Sequence, residues 1–215
     1  MKSILTVILT VSMFTSCMQS QGQKTNIPLG TKAKGVANEA VATFSEGCFW
    51  HAEIVFQSLV GVRDAVSGYA GGTDTKPDYE KVSTGETGHA ETVQVYYDPS
   101  KISYETLVKA LFASMDPTQM NRQGNDAGTE YRSIAFYRND NEKKIIEAEI
   151  KRLTDSKVYK SKIVTEVKPF VVFYPGEDYH QEYIYHNPGN SYVANVSIPD
   201  FLKFKREFKG NFKAP

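Results

Sequence analysis

The sequence predicts a sheet with helices packed on it, α+β or α/β in class. Two observations carry that expectation. Short stretches of alternating apolar and polar residues interleave with stretches whose apolar residues recur at helical spacing. The chain's 215 residues, 40% hydrophobic and 23% charged, also suit one ordinary domain with a real core. No internal repeat or low-complexity tract competes with this reading.

The elements follow in order. "AVATFSEG" reads as a strand that ends where Gly47 lets the chain turn. Phe49, Ala52, Val55, Phe56 and Leu59 then recur at helical spacing, which predicts a helix over Phe49–Leu59. "GVRDAVSGYAGG" fits a second strand running into a Gly-rich turn, and "TKPDYEKVSTGETGHA" is a long loop without a period. "ETVQVYYDP" alternates until Asp98-Pro99 ends it, so it is a strand. Ser103 is a candidate cap for a helix running to about Met115. "DPTQMNRQGNDAGTEY" is a second long polar loop, "YRSIAFYRN" is strand-like, and Glu142 to about Leu153 is a helix. "KIVTEV" and "FVVFYP" read as closing strands, while "EDYHQEYIYHNP" is aromatic and polar without a strong period. Phe201, Phe204, Phe208 and Phe212 have helix-like spacing among lysines, and packing on the domain is their expected use.

The N-terminus reads differently. "MKSILTVILTVSMFTSC" joins one lysine, an apolar run from Ile4 to Phe14 and small residues before Cys17. That run is too short to span a bilayer, which takes about 20 residues, and residues 1–16 are expected to be a secretory signal. The cysteine after small residues resembles a lipoprotein processing site, which makes Cys17 the expected lipidation site; ordinary secretion with an incidental cysteine is the alternative. Residues 17–38 are polar and read as a flexible tether, and 39–215 as the domain with its C-terminal extension. The chain is therefore expected to be exported and tied to a membrane through its lipid.

Composition excludes several functions. A net charge of +0 and the lack of a basic run give no support for nucleic acid as a partner. His51, His89, His180 and His186 form no helix-borne metal motif, no CxxC pair exists, and no phosphate-binding or dinucleotide fingerprint is present. No metal or cofactor is expected.

Cys48 is the chemical focus. Gly47 allows a sharp turn before the helix, and a sulfur at the helix start sits near unpaired N–H groups, which favours the thiolate. Phe49 and Trp50 beside it suit either an apolar pocket for a methyl or thioether group or plain core packing. An acyl-transfer pair of Cys48 and His180 stays open on residue types alone.

The motifs "GCFWHAE", "VSGYAGG", "PDYEKVSTGETGHAETVQVYYDP", "DPTQMNRQGNDAGTEYRS" and "EDYHQEY" resemble, in order and spacing, those of the peptide methionine sulfoxide reductase A family. The resemblance covers about residues 42 to 185, and it implies the α+β class: a mixed central sheet with helices packed on it, a two-layer sandwich with a ferredoxin-like core. It implies that Cys48 is the nucleophile attacking the sulfoxide sulfur and that Phe49 and Trp50 hold the substrate methyl group. It implies that Glu91 protonates or hydrogen-bonds the sulfoxide oxygen, that Tyr79 and Tyr131 bind the same oxygen, and that Asp126 orders polar groups near the pocket. The implied activity is reduction of the S-epimer of free or protein-bound methionine sulfoxide through a cysteine sulfenic acid. A non-catalytic module that binds methionine sulfoxide or peptides is the alternative.

Two departures stand out. His51 follows "GCFW" where the family often has glycine, and the tail carries no cysteine of the kind that resolves the sulfenic acid in many members. The expected form is therefore a one-cysteine enzyme regenerated by an outside thiol, from a thioredoxin-like protein or a small molecule.

Overall fold

Alternation along β1, Ala40–Glu46, decides its place in the computed structural model, which describes residues 37–214. The expected signal, nearly all of the tether and Cys17 lie outside the described residues. Ala42 and Phe44 are buried on one side and Thr43 and Ser45 on the other, so β1 is covered on both faces and sits centrally. It pairs antiparallel with β3, Ala90–Tyr97, and with β6, Ser133–Tyr137. β2, Val62–Ala70, flanks β3, and the edges are β8, Phe173–Pro175, antiparallel to β2, and β7, Glu166–Pro169, parallel to β6. The order β7-β6-β1-β3-β2-β8 makes the sheet mixed, as predicted.

Helices α1 (Phe49–Gln57), α3 (Tyr104–Ser114) and α4 (Asp140–Asp155) pack against the sheet, α3 lying between the other two. Phe44, Phe56, Leu59, Val93, Leu107 and Leu111 are fully buried between the layers, with the Phe44 and Phe56 rings stacked at 5.3 Å. A smaller cluster of Ala70, Ala90, Ile134 and Phe136 covers the opposite side of the sheet. Ser103 caps α3 as expected, its side chain accepting from the Thr106 N–H. α4 starts two residues before the expected Glu142, because Asn139 accepts from the Glu142 N–H and fixes the first turn earlier.

Both long loops contain structure that the sequence reading leaves out. The first holds α2, Tyr79–Ser83, capped by Asp78. The second closes into a small hairpin of β4, Arg122–Gln123, and β5, Asp126–Ala127, followed by a 3-10 turn over Thr129–Tyr131. Further on come a 3-10 turn at Asp178–His180 and α5, Tyr183–His186. A π turn, Val193–Ser197, runs directly into α6, Ile198–Glu207.

The C-terminal phenylalanines pack on the domain, as expected. Phe201 and Phe204 are buried, Phe208 and Phe212 lie against Phe204 at 5.0 and 5.7 Å, and the Lys213 N–H donates to the Ser58 carbonyl at 2.8 Å. Among the described residues no helix is long and apolar enough to cross a membrane.

Candidate active site

Gly47 makes the turn from β1 to α1 with φ +105°, and a Cβ there would lie 2.5 Å from Gln123 Cβ. The turn sets Cys48 at the cap position of α1. The carbonyl of Cys48 accepts from the His51 and Ala52 N–H groups at 3.1 and 3.2 Å. The Phe49 N–H, one of the donors a helix start leaves unpaired, goes to Glu91 Oε2 at 2.9 Å.

Glu91 is placed by strand periodicity. It shares a face with Val93, Val95 and Tyr97, opposite Tyr69 of β2, and that face looks toward α1. At 3% exposure it is a buried carboxyl rather than a surface one.

Cys48, Phe49, Trp50, Tyr79, Glu91, Asp126, Tyr131 and Tyr192 line one cavity of about 160 Å³. Every predicted site residue within the described chain is among them. Tyr79 comes from the first residue of α2, its N–H held by Glu177 Oε1 at 2.9 Å. Asp126 comes from the hairpin and Tyr131 from the turn after it. Phe49 packs against Tyr69, Tyr79 and the His180 ring, and Trp50 stacks on Tyr183 at 3.8 Å.

His180 is not a partner for the thiol. Its Nδ1 accepts from Trp50 Nε1 at 3.1 Å, and burial holds its pKa below the ordinary value, so the ring is a neutral support for the indole. The Cys48–His180 acyl-transfer arrangement is absent.

Electrostatics correct one expectation. The helix start was expected to favour the thiolate, and the backbone N–H groups of Trp50 and His51 do pull that way. Burial outweighs them, and the Glu91 carboxyl adds to it, so the Cys48 thiol is held well above its usual range. Burial likewise lifts Glu91 to about 8 against the opposing Phe49 N–H, with Asp126 and Glu130 adding to the rise. Burial first, and the Glu91 charge second, also keep the Tyr79 and Tyr131 phenols protonated. The resting site is thus a thiol facing a protonated acid and two phenol donors.

Residues 40–212 match the family described as peptide methionine sulfoxide reductase. The chain belongs to that family. A peptide methionine sulfoxide reductase MsrA of Pasteurella multocida is 48% identical over 172 residues, covering 80% of this chain and 98% of its own length. An MsrA 2 of Synechocystis is 41% identical over 188 residues, covering 87% and 86%. Among solved structures, reduced Mxr1 of Saccharomyces cerevisiae superposes with a TM-score of 0.67 at 32% identity, covering 74% of this chain and 91% of that one. Methionine sulfoxide reductase A of Corynebacterium diphtheriae gives 0.66 at 33%, covering 74% and 80%.

In this peptide methionine sulfoxide reductase the sequence reading missed Tyr192. Its hydroxyl donates to Asp126 Oδ2, and it lines the same cavity as Cys48. Tyr192 precedes the π turn, where Pro199 brings no N–H to the helix and the wider turn absorbs the mismatch. Asn190 starts that helix, its Oδ1 accepting from the Tyr192 and Val193 N–H groups. The "PGN" turn before Tyr192 was a readable start signal, but nothing local links it to Cys48. Among the described residues no group of three or more His, Cys, Asp or Glu side chains is placed to hold a metal ion.

Proposed function

We propose that this chain reduces methionine S-sulfoxide, with Cys48 as the nucleophile and Glu91 as the acid. One observation carries the reading: thiol, protonated carboxyl and two phenols line a single small cavity walled by aromatic rings. A sulfoxide is a poor electrophile until its oxygen is hydrogen-bonded or protonated, because negative charge grows there during attack. Tyr79 and Tyr131 donate to that oxygen, and Glu91 gives it a proton as the Cys48 sulfur bonds to the substrate sulfur. Transfer of the oxygen then leaves methionine and a Cys48 sulfenic acid, the thiol's own proton resetting Glu91. Phe49 and Trp50 hold the methyl group, Asp126 and Tyr192 order the polar side, and fixing methyl, oxygen and sulfur separately selects the S-epimer. A cavity of about 160 Å³ has room for the sulfoxide and its flanking carbons, so a peptide backbone stays outside and both free and protein-bound methionine sulfoxide are substrates.

Regeneration falls to an outside thiol, small or thioredoxin-like, since Cys17 and Cys48 are the chain's two cysteines. The signal-like run before Cys17 supports an exported, lipid-tethered protein that acts outside the cytoplasm.

The test is turnover of S- and R-methionine sulfoxide peptides with dithiothreitol, by the full chain and by Cys48→Ser. S-selective turnover that vanishes in the variant is expected; equal turnover of both epimers, or activity surviving in Cys48→Ser, contradicts the assignment. Intact mass of the chain recovered from membranes reads the tether in the same preparation, and an unmodified N-terminus starting at Met1 counts against it.

A further inference from the structure

Cys48 also borders a second cavity, of about 260 Å³, which shares Cys48, Asp126 and Tyr192 with the substrate pocket and none of its other walls. Three buried polar atoms on its wall have no hydrogen-bond partner: Glu46 Oε1, His51 Nε2 and Ser197 Oγ. Glu46 and Ser197 are each 1% exposed. Unpaired polar atoms at that depth are costly in a fold with no use for them. Glu46 comes from the end of β1 and is fixed by Ser114, whose hydroxyl donates to Oε2 at 2.5 Å. Its Oε1 stands 3.2 Å from His51 Nδ1 without making a hydrogen bond. With Nδ1 turned to Glu46, Nε2 is the ring atom left to do chemistry.

The route of the reductant rests on the proposed Cys48 sulfenic acid, which fixes a direction. The oxygen arrives from the substrate pocket, on the side of Glu91, Tyr79 and Tyr131. Displacement at sulfur runs in line, so the reductant must reach the sulfur from the side opposite the departing oxygen. The second cavity offers an approach that the rings and Glu91 do not occupy. We infer that the reducing thiol enters through this cavity and that His51, oriented by Glu46, is its proton acceptor. The thiol gives its proton to Nε2, the S–S bond forms as the S–O bond breaks, and Glu91 protonates the leaving hydroxide to water. A second thiol then loses its proton to solvent and attacks the outer sulfur of the mixed disulfide, and the departing Cys48 sulfur takes back the proton from His51. Two thiols become one disulfide, the sulfenic acid gains two electrons, and solvent returns the proton to Glu91. Imidazole suits the role because one ring nitrogen can take a proton while the other faces an orienting carboxylate. The other titratable groups on the wall are Glu46 from β1, Asp126 from the hairpin, Tyr192 beside the π turn and Asp200 from α6.

The experiment separates the two half-reactions. The full chain is mixed with methionine S-sulfoxide without reductant, the methionine burst is measured, and 2-mercaptoethanol is then added while mixed-disulfide formation is followed by mass. His51→Gln should keep the burst within about twofold and slow mixed-disulfide formation about 10²-fold, with added free imidazole restoring part of the lost rate. Glu46→Gln should slow it less, since the amide still faces Nδ1 and keeps part of the ring's orientation. Asn195→Trp, on an exposed rim residue of the cavity, should slow the thiol step and spare the burst. Regeneration of His51→Gln at the wild-type rate overturns the inference, as does a slowed variant that free imidazole does not rescue, or loss of its burst, which would place His51 in the first step. A wild-type chain with no burst overturns the reductase reading itself and this inference with it.

Discussion

A carboxyl buried against the first turn of a helix feels opposing pulls on its proton. For Glu91, loss of water raises the pKa while the Phe49 N–H favours the ionised form, and burial wins, leaving it at about 8. Below that pH Glu91 holds a proton to give, and above it the donor is gone. The rate of the methionine burst should therefore fall as pH rises through about 8. Glu91→Gln keeps a hydrogen-bond donor and loses the transferable proton, so the burst should slow by about 10²–10⁴-fold and lose its alkaline decline. An unchanged pH profile in stopped-flow measurements of that variant would contradict the role. At this scale Cys48, Tyr79, Glu91, Asp126 and Tyr131 were legible through the motifs that carry them. Tyr192 was not, because it is one tyrosine of 13 and meets Asp126 across 66 residues of chain.

At the scale of elements, the stretch from Gly176 to Tyr183 is a strap that fixes the aromatic wall of the site. Glu177 takes the Tyr69 hydroxyl and the Tyr79 N–H, at 2.7 and 2.9 Å. Gln181 accepts from the Ser67 N–H and donates to the Ser67 and Gly176 carbonyls, each at 3.0 Å. The Glu182 N–H donates to Glu53, whose carboxyl burial lifts to about 8. Ser67 is fully buried, so Gln181→Ala leaves its N–H without a partner and should cost about 1–3 kcal/mol. A urea midpoint unchanged from wild type would refute that account of the strap. These bonds explain why the sequence "EDYHQEY" carried a motif but no period: its hydrogen-bond partners lie up to 130 residues away, and nothing local repeats. α2 was missed for a related reason, since one capped turn has no apolar stripe and is held by tertiary contacts. The central strands were legible because β1 and β3 alternate or run buried over seven and eight residues.

Over the whole molecule, the sheet order brings the β1–α1 turn beside the start of β3, and so places Cys48 next to Glu91 although 42 residues separate Phe49 from that carboxyl. Strand order of this kind has no local signature, so the sequence predicts a mixed sheet and leaves the neighbours unassigned. The C-terminal helix closes the assembly by setting Tyr192 into the Cys48 cavity on one side and the phenylalanine cluster against α1 and α3 on the other. The central claim is that Cys48 itself takes the oxygen from the substrate. Intact mass after one equivalent of methionine S-sulfoxide, without reductant, tests it most directly. One methionine released per chain and one oxygen gained at Cys48, with no loss of two hydrogens to an internal disulfide, is the predicted result. Methionine release with Cys48 unmodified would contradict it.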